Sequence, residues 1–356
     1  RTRSAAAAAG PRASRMLRAV VRVVASLAAA RLASELYLRY CCARRRRGSR
    51  HRYIVAHRAG AGTAPENTLA AAELAIAEGA QWLQLDVMHT QDRVVVVFHD
   101  MPRERNLYKL TGVDKQIADL RFSQLPPLKA EIQPALVGDN ARTIRPADFG
   151  ADGQRICTLE EMLMAVGPQI GCLIEFWGEP SEALVADVAR LVRRHGRVSR
   201  TAIGNPFSAQ TAAFCDKVAP DIRRIYHARE LARMFALYWL GAYPFLAHAD
   251  AGRRLLNCPL ITHRWGRMIA RAQGRERPGL VARAALAALR AFTFAPQLFR
   301  FHADVLGQAT FAWILNDPDS WDDGLALGAQ GLMTDYVAAC GRHLRAAAVE
   351  SMSDRS

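Results

Sequence analysis

A regular alternation of short apolar runs with segments of helical length, repeated from residue 53 to residue 336, constrains the fold more than any other feature. The predicted strands are residues 53–57, 82–87, 94–98, 172–177, 201–204, 222–226, 309–315 and 331–334. Helical patterns at 159–166, 181–195, 279–291 and 320–328 lie between them. Strands that alternate with helices form parallel sheets, and repetition at this length favours closure. The sequence therefore predicts an α/β fold, a (β/α)8 TIM-type barrel with an N-terminal basic and hydrophobic extension.

Charge divides the chain near residue 50. Residues 1–50 contain thirteen arginines and one acid, Glu35, so most of the formal net charge of +15 lies there. The body that follows is nearly balanced, which argues against nucleic acid as a partner. The predicted parts are an N-terminal anchor or targeting segment (1–50), a barrel domain (51–345) and a disordered tail (346–356).

The apolar part of the N-terminal segment is interrupted by arginines and by Glu35. Its longest uncharged run, residues 23–30, is far shorter than the roughly 20 residues that span a bilayer. One interpretation is an interfacial membrane anchor, with Tyr37 and Tyr40 at the lipid headgroups. A mitochondrial targeting peptide and a solvated basic tail are the alternatives. We expect the anchor, and therefore a membrane-associated, intracellular protein, with mitochondria as the alternative.

The seven cysteines are scattered and form no C-x-x-C pair. This pattern predicts neither a zinc site nor a disulfide framework and indicates a reducing compartment. Cys41 and Cys42 lie beside the apolar N-terminal segment, where acylation would strengthen a weak anchor.

Two segments interrupt the alternation. Residues 126–156 contain proline and glycine without periodicity and are predicted to form a long loop. Residues 231–248 are strongly apolar and aromatic. They are interpreted either as a buried barrel helix or as an element that docks on a membrane or binds an acyl chain.

Polar residues fall at the ends of the predicted strands. His57, Asp86 and His99 each follow an apolar run, and barrels carry their active sites at the carboxyl ends of their strands. Gln84 and Asp86 are two residues apart, so both point into the barrel mouth. Glu175 lies inside an apolar run, where an unpaired carboxylate is costly. Converging oxygens suit a hard cation, and two flanking histidines suit acid–base chemistry.

Each of these residues also has a simpler structural interpretation. A single histidine at a strand end is more often a structural residue than a catalyst. Glu66 has the spacing of a capping-box partner of Thr63, at the start of a helix that Gly79 ends. Only the combination of residues predicts a site.

Four strings carry a specific resemblance: A-H-R-A-G-A-G-T-A-P-E-N-T (56–68), L-Q-L-D-V-M-H-T-Q-D-R-V-V-V-V-F-H-D (83–100), L-I-E-F (173–176) and the segment 312–336 that ends L-M-T-D-Y. Together they resemble the glycerophosphodiester phosphodiesterase family over nearly the whole body. The chain looks most similar to the membrane-associated eukaryotic branch, whose members act as lysophospholipase D.

The resemblance implies roles for individual residues. It makes His57 and His99 the acid–base pair, Arg58 the residue that grips the phosphate, and Trp313 a pocket-lining residue. It makes Asp86 and Glu175, with the amide oxygen of Gln84, the ligands of Mg²⁺ or Ca²⁺. In the family, a substrate hydroxyl attacks phosphorus and water then opens the cyclic phosphate.

Three positions depart from the family pattern. Gln84 stands where the family has glutamate, Trp177 where it has lysine, and Ala59 where it has glycine. The first hypothesis is a metal-dependent phosphodiesterase that converts glycerophosphodiesters or lysophospholipids to a phosphomonoester and an alcohol. Its predicted partners are a phospholipid-derived small molecule and a membrane surface. The alternative is a catalytically impaired family member that binds lipids or phosphodiesters.

Overall fold

A computed structural model describes residues 11–44, 52–100, 105–134, 142–246, 253–272 and 274–353. Within these ranges, eight parallel strands close into a barrel because the first strand pairs with both the second and the last. The sheet contains β1 (Tyr53–Ala56), β2 (Trp82–His89), β3 (Val95–Val97), β4 (Gly171–Phe176), β5 (Thr201–Gly204), β6 (Arg223–Ile225), β7 (Arg254–Pro259), β8 (Thr310–Trp313) and β9 (Gly331–Thr334). All except β3 are barrel strands, which confirms the predicted TIM-type barrel.

The strands differ from the predicted set in two places. Residues 94–98 are predicted as a barrel strand, but β3 pairs antiparallel with the upper end of β2, with Val97 opposite Val87. The eighth barrel strand is instead β7, which the sequence pattern does not indicate. Polar or ring-constrained residues, Asn257 and Pro259, interrupt its apolar run, so it looks like a loop in sequence although the strand is mostly buried.

The helices are α1 (Pro11–Arg44), α2 (Leu69–Ala77), α3 (Asn106–Thr111), α4 (Leu159–Ala165), α5 (Glu182–Arg194), α6 (Ala209–Val218), α7 (Ala228–Trp239), α8 (Tyr243–Leu246), α9 (His263–Ala272), α10 (Leu280–Thr293), α11 (Pro296–Arg300), α12 (Pro318–Leu327) and α13 (Val337–Ser353). Outward-facing residues of β2, Leu83 and Leu85, belong to the large core between barrel and helices. The alternation predicted for this strand is therefore confirmed.

The start of α2 differs from the predicted capping box. Thr68 caps the helix by accepting a hydrogen bond from the backbone N–H of Ala71 at 3.1 Å, whereas Thr63 bonds the carbonyl of Gly60. Asn67, with φ of +59°, keeps the preceding residues out of the helix. Glu66 is thereby left outside the helix and available to the barrel mouth.

The barrel interior has two layers. The lower layer is apolar and contains Val55, Trp82, Leu173, Ala202, Ile225, Leu255, Phe311 and Met333. The rings of Trp82 and Phe311 meet edge to face at 5.1 Å in this layer. Gly171 and Gly331 make room for them, since a Cβ at either position would lie within 2.3 Å of a ring atom. The lower layer therefore closes the barrel beneath its mouth.

The insertion at 126–156 packs around a small core of its own. Within its described parts, Ile132 and Ile144 form an antiparallel bridge. Both are buried with Val96 and Phe98 of the β3 hairpin. Residues 135–141 lie outside the described ranges, so the predicted long loop is seen only at its two ends.

The N-terminal helix α1 docks by its second half. Ser34, Leu38 and Cys42 recur every four residues and are buried, whereas residues 18–30 are exposed throughout. The docked part contacts α8, α11 and the π-helical turn Phe301–Val305. No helix in the described ranges is both long enough and apolar enough to cross a bilayer. Cys42 is only 8% exposed, and burial raises the pKa of its thiol to about 11, so it does not offer the accessible thiol that acylation needs.

Two further expectations are changed by the structure. The tail predicted as disordered from residue 346 continues as helix α13 to Ser353, because Ala346 to Ala348 are strong helix formers. The apolar segment 231–248 divides in two. Its first part is the amphipathic helix α7, which buries Met234 and Phe235. Beyond α7, Leu240 and Phe245 are exposed, and residues 247–248 lie outside the described ranges.

Candidate active site

The upper layer of the barrel is polar, and it is built by the same strands as the apolar layer below. Two residues after an inward-facing apolar residue, most of the barrel strands place a polar or aromatic one, because side chains alternate across a strand. In this way Val55 leads to His57, and Leu173 leads to Glu175. These side chains open onto a cavity of about 300 Å³, which is also lined by Arg58, Gln84, Asp86, His99, Trp177 and Trp313. The structure thus brings all the predicted site residues together.

His57 lies directly after β1 and is paired with a carboxylate. Its Nδ1 is 2.6 Å from Oδ1 of Asp335, which follows β9. A carboxylate only accepts hydrogen bonds, so Nδ1 carries the proton and the lone pair of the neutral ring is on Nε2. Asn316 donates to the other oxygen of Asp335 at 2.5 Å and fixes the carboxylate. The arrangement is that of a histidine base oriented by an acid.

His99 reaches the mouth by a different route from the one predicted. It follows β3, and because β3 runs antiparallel to β2, the hairpin returns the chain to the level of Asp86. The side-chain amide of Asn106 donates to Nδ1 of His99 at 2.8 Å and to its carbonyl at 3.0 Å. The proton of the neutral ring is therefore on Nε2. Burial, opposed by Asp86 and reinforced by the nearby Arg58, lowers the pKa of His99 to about 3.

Arg58 is buried beneath the mouth in a left-handed backbone conformation, with φ of +48°. Its guanidinium bonds both oxygens of Glu66, at 3.1 and 3.3 Å, and its Nε lies 3.6 Å from Asp86. Burial raises the pKa of Glu66, and the charge of Arg58 opposes that rise. Glu66 therefore positions the arginine that was predicted to grip the phosphate.

Asp86 and Glu175 face each other across β2 and β4, which pair in register. Burial would raise the pKa of Asp86, but the charges of His99 and Arg58 and the hydrogen bond from Asn67 outweigh it and hold the pKa below its ordinary value. Burial together with the negative charge of Asp86 raises the pKa of Glu175 to about 8.

The predicted metal ligands are close together, but their donor atoms do not fit a divalent cation. Oε1 of Gln84 accepts the backbone N–H of Arg58 at 2.7 Å, so its amide nitrogen faces Asp86 and donates to it at 2.8 Å. Trp177 donates to the same carboxylate at 2.6 Å. In the described part of the chain, no group of three His, Cys, Asp or Glu residues could hold a metal ion. N–H groups occupy the place where a cation needs oxygens.

An aromatic rim extends the mouth outward. The ring of Trp177 contacts His99 at 4.4 Å, and Phe207 lies 6.4 Å from both Trp177 and Trp313. Phe207 is 66% exposed and Met268 47% exposed, which is unusual for side chains of this size beside a polar site. The rim offers apolar surface to a ligand bound in the mouth.

Sequence reasoning missed the residues that orient the histidines, the arginine and Asp86: Glu66, Asn67, Asn106, Asn316 and Asp335. Asp335 carries the clearest signal, because it follows an apolar strand as His57 does. The asparagines carry none: Asn67 and Asn316 lie in loops and Asn106 begins the short helix α3, and the sequence does not reveal the course of these segments.

A parallel barrel with two oriented imidazoles and a guanidinium in its mouth suits the hydrolysis of a phosphoric diester. The sequence profile described as the glycerophosphoryl diester phosphodiesterase family matches residues 57–339. The chain belongs to this family and is a phosphoric diester hydrolase. The family predicted from the sequence is confirmed.

Two curated relatives match most of the chain. Human lysophospholipase D GDPD1 is 27% identical over 79% of this chain and 82% of its own length. Mouse lysophospholipase D GDPD3 is 28% identical over 82% of this chain and 81% of its own length.

Solved structures share the fold. The phosphodiesterase domain of a Mycobacterium tuberculosis protein matches with a TM-score of 0.56 at 16% identity, covering 82% of this chain and 98% of that domain. A glycerophosphodiester phosphodiesterase from Thermotoga maritima matches with a TM-score of 0.52 at 20% identity, covering 82% and 98%.

Proposed function

We propose that this chain hydrolyses the phosphodiester of lysophospholipids or glycerophosphodiesters, releasing the headgroup alcohol and leaving a phosphomonoester. The observation that carries the proposal is the pair of oppositely prepared imidazoles across one cavity. His57 is held by Asp335 with its lone pair on Nε2, and His99 is held by Asn106 with its proton on Nε2. One ring presents a lone pair and the other an N–H.

In the proposed first step, Nε2 of His57 takes the proton of the substrate hydroxyl next to the phosphodiester. The hydroxyl oxygen bonds to phosphorus as the bond to the headgroup oxygen breaks, and His99 protonates that oxygen. His99 acts as an acid as the imidazolium, which an anionic phosphodiester beside it favours over the neutral ring. Its Nδ1 then also carries a proton, and the side chain of Asn106 turns its carbonyl oxygen towards Nδ1 to accept it. Water then opens the cyclic phosphate with the two histidines in reversed roles.

The charge on the phosphoryl oxygens is met by Arg58, which Glu66 holds in place. The family's divalent cation, whether Mg²⁺ or Ca²⁺, would supply charge neutralisation at the same oxygens. No step is assigned to it, because N–H groups already occupy the carboxylate of Asp86.

A lysophospholipid is the favoured substrate. The two relatives above are named lysophospholipase D. The rim of Trp177, Phe207, Met268 and Trp313 provides apolar surface for an acyl chain, which a glycerol-headed substrate would leave uncovered.

The test is choline release from lysophosphatidylcholine and from glycerophosphocholine by the full chain. His57→Ala is expected to lower kcat by about 10²–10⁴-fold, because it removes the proton acceptor. His343→Ala is the control, since His343 pairs with Asp322 at the surface, outside the mouth. Hydrolysis that survives His57→Ala would contradict the mechanism. Binding of lysophosphatidylcholine without any release would favour the phosphodiester-binding alternative.

We also propose that α1 holds the protein on an anionic membrane surface. Its exposed side chains include Val20, Val24 and Leu27 among arginines, and Tyr37 extends the surface to Phe245, with ring centroids 5.4 Å apart. Basic and apolar groups together fit a lipid interface.

Sedimentation with phosphatidylserine-containing vesicles tests this attachment. Leu36→Glu with Tyr40→Glu is expected to release the protein, and Leu280→Glu, at an exposed site on α10, is the control. Equal sedimentation of all three proteins would contradict the attachment. Fluorescence imaging decides between another intracellular membrane and the mitochondrial alternative.

A further inference from the structure

The carboxylate of Asp86 is surrounded by hydrogen-bond donors where a metal site would present acceptors. Oδ1 accepts from the amide of Gln84 at 2.8 Å and from the indole of Trp177 at 2.6 Å. Oδ2 accepts from the amide of Asn67 at 2.9 Å. A divalent cation needs six or more oxygen ligands with available lone pairs. Here three N–H groups take three of the roughly four lone-pair sites of this carboxylate, which leaves little of it for a cation.

The orientation of Gln84 follows from its neighbours. The backbone N–H of Arg58 can only donate, and it lies 2.7 Å from Oε1 of Gln84. Turning the amide over would set its NH₂ group against that N–H and its oxygen against the carboxylate of Asp86. Both contacts would be repulsive in a buried site, so the amide nitrogen must face Asp86. A glutamate here would accept the same N–H and still offer a second oxygen.

Trp177 acts on the same carboxylate from the other side. Its indole nitrogen donates to Asp86 while its ring lies against His99, with centroids 4.4 Å apart. The side chain therefore meets the charge of Asp86 and also fills the space beside it. A lysine, the family's residue here, would bring a full charge on a flexible stem and no ring.

We propose that the amide of Gln84 and the indole of Trp177 take the place of the divalent cation, so that the mouth holds no resident metal ion. Asp86 then accepts hydrogen bonds from the N–H groups around the base of the mouth and so fixes their positions. Arg58 supplies the positive charge that faces the phosphate. The metal-binding part of this inference is independent of the proposed function. Only its consequence, hydrolysis without added metal, rests on it.

Electron paramagnetic resonance of Mn²⁺ tests the inference without any assay of activity, since the signal of the aqueous ion is lost on binding. The full chain is expected to leave Mn²⁺ unbound up to about 1 mM. Gln84→Glu adds an oxygen and a charge, and is expected to tighten Mn²⁺ binding at least about tenfold. Trp177→Phe removes the indole N–H but keeps a ring, and is expected to strengthen binding in the Gln84→Glu background.

Gln81→Glu is the matched control. Gln81 also accepts a backbone N–H at 2.7 Å, that of Ile54, and it lies just before β2 outside the mouth. It is expected to leave Mn²⁺ binding unchanged. One Mn²⁺ bound to the natural chain below about 1 mM, and lost in Asp86→Asn, would overturn the inference.

Choline release, measured with EDTA and with added Mg²⁺, separates the two proposals. A change of less than about twofold is expected for the natural chain. Activity that EDTA abolishes would overturn the inference and leave the proposed function standing. A chain that neither binds Mn²⁺ nor releases choline would remove the proposed function and leave the inference intact.

Discussion

The lower and upper layers of the barrel interior are built by the same strands, but the lower layer is apolar and packed whereas the upper layer is polar and forms the site. Leu173 in the lower layer and Glu175 in the upper layer belong to β4, and Met333 and Asp335 are related in the same way at β9. The lower side chains pack against one another, and Met333 also reaches the floor of the cavity. The upper side chains have hydrogen-bond partners, and His57 and Glu175 also line the open cavity.

The difference shows how the barrel separates stability from chemistry. In the lower layer, where a side chain is enclosed on all sides, apolar contacts stabilise the fold, whereas a polar group would find no hydrogen-bond partner. Two residues further along, the mouth lets partners from neighbouring strands and loops satisfy a charge. Substitutions in the lower layer should therefore change stability, and substitutions in the upper layer should change rate.

The largest effect is expected in the lower layer. Leu173→Ala should lower the free energy of unfolding by about 2–5 kcal/mol, because it leaves a cavity in a packed layer. Urea unfolding measures this, with Leu280→Ala on the exposed face of α10 as the control. The kcat of the molecules that remain folded should stay close to that of the natural chain. A large loss of kcat without loss of stability would show that the layers are not separate.

The next effect is expected in the upper layer. Asp335→Asn should lower kcat about 10–100-fold with little change in KM or stability. Asn316 donates to one oxygen of Asp335 and the His57 ring to the other, so an amide must present an N–H to one of these donors. Steady-state kinetics over pH measures the effect.

The control for this prediction is Asp322→Asn. Asp322 is likewise paired with a histidine, His343, at 2.7 Å but on the surface. Its substitution should leave kcat unchanged. If Asp335→Asn lowers stability instead of kcat, the carboxylate has a structural role and does not orient the base.

The smallest effect comes from a buried histidine outside both layers. His302 accepts a hydrogen bond from Tyr243 and donates one to Gln308, both at 2.7 Å, and burial lowers its pKa to about 4. The unfolded chain, with an ordinary pKa near 6.5, takes up the proton first on acidification. Stability should therefore fall as the pH decreases from about 6.5 towards 4, by roughly 1 kcal/mol between pH 7.5 and 5.5.

Urea unfolding at these two pH values tests the contribution of His302. His302→Gln should have a smaller pH dependence than the natural chain, whereas His343→Gln should not. An unchanged dependence in His302→Gln would assign the acid sensitivity to other groups, such as His99 in the mouth.

The sequence determined much of the barrel in advance, because period-two alternation is a strong local signal. The predicted strands at 201–204 and 331–334 coincide with β5 and β9. The same signal failed for β7, where an inward-facing Asn257 bonds Glu175 and interrupts the apolar pattern. A polar residue that serves the site looks like a loop residue until its partner is known.

The site was predicted at the level of residues but not of their arrangement. His99 was placed correctly for a reason that the structure corrects, since it arrives on an antiparallel hairpin. The role of Glu66 was hidden because its partner, Arg58, is reached only through a left-handed turn. The orientation of the Gln84 amide depends on the backbone N–H of Arg58, which lies at the end of another strand. The local sequence around Gln84 does not indicate this contact.

The docked half of α1 has a geometric consequence. It lies against α8, α11 and the turn Phe301–Val305, the segments that lead into β7 and β8 at the end of the barrel opposite the cavity. If that helix binds a bilayer, the membrane lies on the side of the barrel opposite the cavity, and the cavity opens towards the aqueous phase. Single-chain lipids, which exchange readily through water, could reach such a pocket; two-chain lipids, which do not, would rarely arrive.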